Sequence, residues 1–114
     1  DAARARLRGE TLAAPELVDL EVASVLRRQN RAGMLDDRRA ELAIIDLGAL
    51  PMVRASHLAL LRRCWELREN VTTYDAAYVA LAEALDATLL TGDRRLAHAA
   101  GPTCTIELLR TPRR

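Results

Sequence analysis

Short apolar runs that alternate with helical stretches predict an α/β fold on a parallel sheet. Three observations carry this. Ala87–Thr91 (A-T-L-L-T) is a compact apolar run with the length of a buried strand. Thr103–Leu109 repeats the pattern after a short helical stretch, and Leu50–Val53 and Thr11–Ala14 read as further brief extended segments. The connections between most of these runs are long enough to hold a helix, as parallel neighbours require.

The elements follow in order. The chain opens at Asp1 with a helix, Ala2–Arg8, that Gly9 stops. Thr11–Ala14 is extended, and Pro15 suits the first turn of the next helix. That helix, Glu16–Asn30, is anchored by Leu17, Leu20, Val22, Val25 and Leu26. Arg27, Arg28 and Arg31 near its end complement the helix dipole. Asp36 or Asp37 starts a helix running to Asp46, and Ser56 caps His57–Arg68, whose apolar face is expected to carry Leu58, Leu61, Trp65 and Leu67. Thr72 or Thr73 caps Tyr74–Leu85, and Asp93–Ala100 is one more short helix before the last strand. The tail around Pro112 is expected to fray.

A chain of 114 residues is one domain by length, residues 1–114, and buries about two-thirds of its unfolded surface. No apolar run approaches the ~20 residues that span a bilayer, and no signal-peptide pattern opens the chain, so no membrane role is expected and the default compartment is cytoplasmic. Cys64 and Cys104 lack metal-ligand spacing and read as small hydrophobes. Net charge is +1, which leaves no overall nucleic-acid footprint, although all 17 basic residues are arginine. That usage suits phosphate groups and equally reflects a coding bias. Trp65, Tyr74 and Tyr78 are the only aromatics, too few for the stacking platforms of sheet-face RNA readers.

Three carboxylates stand out. Asp75 opens an apolar helix three residues after Thr72, which reads as a capping box, yet its face continues through Tyr78, Val79 and Ala82 and points inward. Asp93 follows the Ala87–Thr91 strand; it caps the next helix, and a cap keeps a free lone pair for a metal. Glu21 sits between Leu20 and Val22 with Leu17 and Val25 one turn away, so it needs a partner: a cation, or an arginine such as Arg28 or Arg54. Two carboxylates about 4 Å apart repel by roughly 4 kcal/mol at an effective dielectric of 20. Oxygen-only donors then favour Mg²⁺ or Mn²⁺ over zinc. Thr73 and Thr91 could orient the acids, but helix or strand punctuation accounts for each more simply; Arg94 or Arg95 could reach a phosphate, and a solvated helix surface accounts for them equally. His57 and His98 have no ligand or nucleophile partner at a recognisable spacing.

The segments P-E-L-V-D-L-E-V-A-S-V-L-R-R, Y-D-A-A-Y-V-A-L-A and L-L-T-G-D-R-R-L-A together resemble the PIN domain, and especially the VapC toxins of bacterial toxin–antitoxin modules. The resemblance covers essentially the whole chain. It implies a compact three-layer α/β/α domain with a parallel sheet and a cluster of acids at one sheet end. It also implies Mg²⁺ or Mn²⁺ as cofactor and an endoribonuclease toxin that cuts single-stranded RNA. By position Glu21, Asp75 and Asp93 match three of the family's four acids, as catalytic residues and metal ligands, and Ser24 falls where many relatives carry asparagine. The family's first aspartate ends an N-terminal, central strand with no counterpart before Asp1, so the domain is expected to be N-terminally truncated and to lack that strand. A cognate antitoxin whose tail crosses the acidic groove, and a homodimer, are the partners the resemblance implies. A catalytically inactive PIN-like scaffold is the alternative.

Overall fold

The computed structural model describes residues 2–109 of the chain; the tail expected to fray lies outside them. Helix α1 (Ala2–Leu7) leads into strand β1 (Leu12–Pro15), then α2 (Val18–Arg31) and α3 (Asp37–Ala49). Strand β2 (Met52–Ala55) precedes a 3₁₀ turn at Leu58–Leu60, α4 (Leu61–Glu66) and α5 (Thr73–Leu85). The chain then forms β3 (Leu89–Thr91), α6 (Arg94–Ala97) and β4 (Ile106–Leu108). Every strand pairing is parallel, as the alternation of elements predicts. The described strands form two separate ladders: β1 with β2, Leu12 opposite Met52, and β3 with β4, Leu89 opposite Ile106.

Pro15 departs from expectation. It ends β1 opposite Ala55 instead of opening a helix, and the next residue continues the ladder, Glu16 N–H donating to the Ala55 carbonyl at 2.9 Å. A terminal strand position tolerates proline because its missing N–H is not required there.

The core is built around α5. Ala76, Ala77, Val79, Ala80, Leu81 and Ala82 are all buried, and Leu60, Cys64, Leu67, Leu89 and Leu96 close over them. Small side chains on α5 let neighbouring elements approach closely, and this most buried helix carries five alanines among its 13 residues. The face of the 57–68 segment is reversed relative to expectation. Leu58, Leu61 and Trp65 are 72%, 51% and 68% exposed, while Leu60, Cys64 and Leu67 are inside. The physical reason is the 3₁₀ turn at Leu58–Leu60: three residues per turn shift the phase before the α-helix starts. Leu67 keeps its expected place.

Helices α2 and α3 pack on each other and bury no residue fully. Leu20, Leu42, Ile44 and Ile45 stay exposed on them. Arg54 ties α2 to β2: its Nε donates to both oxygens of Asp19, at 3.0 and 2.8 Å, and its Nη2 donates to the Leu47 carbonyl. Arg63 does the same for the other half, donating from Nε and Nη2 to Glu83 at 2.7 and 3.0 Å and to the Gly101 carbonyl at 2.9 Å. Among the described residues no helix is long and apolar enough to cross a membrane.

Candidate active site

Three helix starts deliver the three acids. Strand β1 runs into α2, whose first turn carries Asp19 and Glu21. Asp75 lies in the first turn of α5. Asp93 follows β3 and is the N-cap of α6. Helix N-termini carry positive partial charge, so each start stabilises the carboxylate placed on it, typically by 0.3–1 kcal/mol.

Threonine hydroxyls pin the two aspartates. Thr72 Oγ1 accepts from Asp75 N–H at 3.1 Å, and Thr91 Oγ1 accepts from Asp93 N–H at 3.0 Å. The capping-box reading of Asp75 is therefore half correct. The threonine caps the helix, but among the described residues the Asp75 carboxylate makes no reciprocal bond to Thr72 and stays available, half-buried. Thr73, the first residue of α5, is not the cap. Asp93 Oδ1 accepts from Arg95 N–H at 2.8 Å, the cap expected of it, which leaves its other oxygen for a ligand.

Glu21 is exposed and meets neither Arg28 nor Arg54. The Tyr78 hydroxyl donates to Glu21 Oε1, and Arg54 is engaged by Asp19. Tyr78 was visible in the sequence only as part of the Asp75 face; its place three residues after Asp75, one helical turn on, was the available signal. Burial, the Glu21 hydrogen bond and the charges of Glu21, Asp75 and Asp19 all hold the Tyr78 phenol protonated. The phenol thus lies within electrostatic reach of three carboxylates.

The acids line two adjoining open clefts. One, about 380 Å³, is bounded by Glu21, Asp75, Tyr78, Val25 and the β3 residues Leu89–Thr91. The second, about 520 Å³, is bounded by Thr72, Asp75, Asp93, Arg68 and Arg95. Asp75 and Leu96 line both, so Asp75 is the acid common to the cleft of Glu21 and the cleft of Asp93. Among the described residues no three carboxylate, cysteine or histidine side chains stand close enough to hold an ion. The donor chemistry still suits a hard divalent cation, because carboxylate oxygens line both clefts and no cysteine or histidine does. Ser24 accepts from Arg28 Nη1 at 3.3 Å on the exposed side of α2. His57 and His98 are both exposed; His98 Nδ1 lies 2.9 Å from the Arg94 carbonyl.

Parallel strands with acidic residues at their carboxyl ends place this chain in a known class. It belongs to the PIN domain family, whose model matches residues 1–102. Within that family it is similar to proteins named VapC ribonucleases. Ribonuclease VapC1 of Mycobacterium tuberculosis (strain ATCC 25618 / H37Rv) is 48% identical over 98 residues, spanning 85% of this chain and 74% of the relative. Ribonuclease VapC9 of the same strain is 42% identical over 110 residues, 94% of this chain and 84% of the relative. Ribonuclease VapC12 is 38% identical over 104 residues, 91% and 81% of the two chains.

Proposed function

We propose that this protein is a metal-dependent endoribonuclease toxin that hydrolyses RNA phosphodiester bonds and is neutralised by a cognate antitoxin. The observation that carries the reading is that Asp75 lines two clefts, one shared with Glu21 and the other with Asp93. The VapC ribonucleases to which the chain is similar support the same chemistry.

Asp75 and Asp93, with Glu21, would hold Mg²⁺ or Mn²⁺ through one or two carboxylates at a time, with water and the substrate phosphate completing the shell; the ion would supply an acidified water and shield charge growing on the phosphate. The residues themselves have distinct tasks. Asp75 and Asp93 are fixed by threonine hydroxyls on their backbone N–H groups, which leaves the Asp75 carboxylate and the second Asp93 oxygen for a ligand. Glu21, held by Tyr78, orients the attacking water or accepts its proton. No nucleophilic serine or cysteine is required for hydrolysis of this kind.

The partners follow from chemistry and surface. An acidic groove accepts a guanidinium, the group an antitoxin tail would insert. The exposed apolar residues of α2 and α3, Leu20, Leu42 and Ile45 among them, suit burial against an antitoxin or a second copy in a homodimer. The cytoplasm is the compartment for such a toxin.

A second reading, a PIN-like binding module without catalysis, is favoured by the absence of a three-ligand cluster among the described residues. Purified protein incubated with single-stranded RNA separates them. Expected is cleavage that requires Mg²⁺ or Mn²⁺, stops with EDTA and is lost in Asp75→Asn and Asp93→Asn with unchanged circular dichroism. Metal-independent cleavage, or full activity in both variants, would remove the site assignment. Binding of RNA with no cleavage at any metal concentration selects the second reading.

A further inference from the structure

The acids cannot by themselves attract a polyanion, and the second cleft has a basic rim that the chemistry above leaves unused. Arg68 and Arg95 line it together with three acids, Glu69, Asp75 and Asp93. Arg68 follows the end of α4, and its guanidinium carbon lies 4.6 Å from the centre of the Trp65 ring. Its Nη1 donates to the Trp65 carbonyl at 2.9 Å, and its Nε stands 3.8 Å from Glu69, a loose and exposed ion pair. The guanidinium is therefore held in place from its own helix end. Arg95 follows Asp93 by two residues, and among the described residues no carboxylate pairs with its side chain.

Trp65 is the only tryptophan and remains 68% exposed, an unusual position for so large an apolar ring. Trp65 does not itself line the cleft and is linked to it through Arg68, and a guanidinium that lines a cleft and stacks on an exposed indole can take a phosphate on the cation and a base on the ring's free face. We propose that Arg68, Trp65 and Arg95 form the substrate-holding rim for single-stranded RNA: the arginines grip phosphates flanking the scissile bond, and Trp65 stacks on a neighbouring unpaired base. This rests on the ribonuclease reading of the acidic site and adds to it the side chains outside the acids that hold the strand. A paired strand cannot offer a free base face to Trp65, so the rim selects unpaired segments.

Full-length protein with a short single-stranded RNA substrate and Mg²⁺ tests this. Arg68→Ala and Arg95→Ala should each raise KM about 10-fold with kcat within about twofold, and each should lower the salt slope of binding by about one. Trp65→Ala should raise KM about 10-fold through lost stacking. Arg68→Lys should recover part of the loss, because it keeps the charge without the planar fork. Arg39→Ala, a cation on exposed α3 away from either cleft, should change nothing. Unchanged KM in both Arg68→Ala and Trp65→Ala overturns the rim and leaves the exposed indole to a protein partner. Anisotropy with 2′-O-methyl single-stranded RNA, which resists cleavage, decides the rim separately from catalysis. Weaker binding by the rim variants supports it even where the wild-type chain cleaves nothing; equal binding, or no binding by the wild-type chain, overturns it.

Discussion

The Tyr78 hydroxyl donates to the Glu21 carboxylate across 57 residues of sequence, joining the first turn of α2 to the core helix α5. Glu21 is thereby aimed by a residue that is itself anchored in the core between Ala77 and Val79. Orientation of a site carboxylate by a neighbouring donor commonly affects activity by 10- to 100-fold. Tyr78→Phe keeps the ring and removes the donor. It should lower kcat for RNA cleavage about 10-fold and cost about 1 kcal/mol of stability, the usual net value of one hydrogen bond. Steady-state kinetics and urea unfolding on the same preparation check both numbers.

Asp93 has a structural task and a proposed chemical one, and two substitutions separate them. Asparagine retains the side-chain oxygen that accepts from Arg95 N–H, whereas alanine loses it. Asp93→Asn should therefore melt with the wild type, while Asp93→Ala should lose about 1 kcal/mol. Both should be inactive on RNA. Retained activity in Asp93→Asn would show that the residue is only a cap.

Arg63 and Glu83 make the stability of the fold depend on acid. The bidentate Arg63 bond lowers the Glu83 carboxyl from 4.5 to about 2, assisted by the Thr103 N–H donated at 2.7 Å and opposed by burial. A folded value below the unfolded one means that the unfolded chain takes up the proton first. The stabilisation is thus complete above about pH 5 and disappears as pH falls from 4.5 towards 2. Glu83→Gln should cost about 2 kcal/mol at neutral pH, and its deficit against the wild type should shrink through that acid window. Urea unfolding across the acid range checks it.

The reversed face of α4 gives a test that needs no activity. Leu67 is 1% exposed and Leu58 72% exposed. Leu67→Ala should destabilise by about 3 kcal/mol, in the range for a buried leucine. Leu58→Ala should stay within about 0.5 kcal/mol of the wild type. Equal losses would contradict the 3₁₀ phase shift at Leu58–Leu60.

Much of this protein is written locally. The Asp36 cap, the Thr72 cap, the Asp93 cap and the glycine stop after α1 each depend on a few neighbouring residues, and each forms as the sequence indicates. The places of Asp75 and Asp93 at helix starts were legible for the same reason, since caps and first turns are short-range features, whereas Glu21 reads as an interior residue of its helix and is found exposed in the first turn. What the tertiary structure alone decided depends on contacts between distant segments. Asp19, not Glu21, takes Arg54; Tyr78 takes Glu21; and Asp75 lines both clefts. Ion pairs and clefts are chosen by which surfaces meet after the helices pack, and periodicity along a single segment carries no information about that choice.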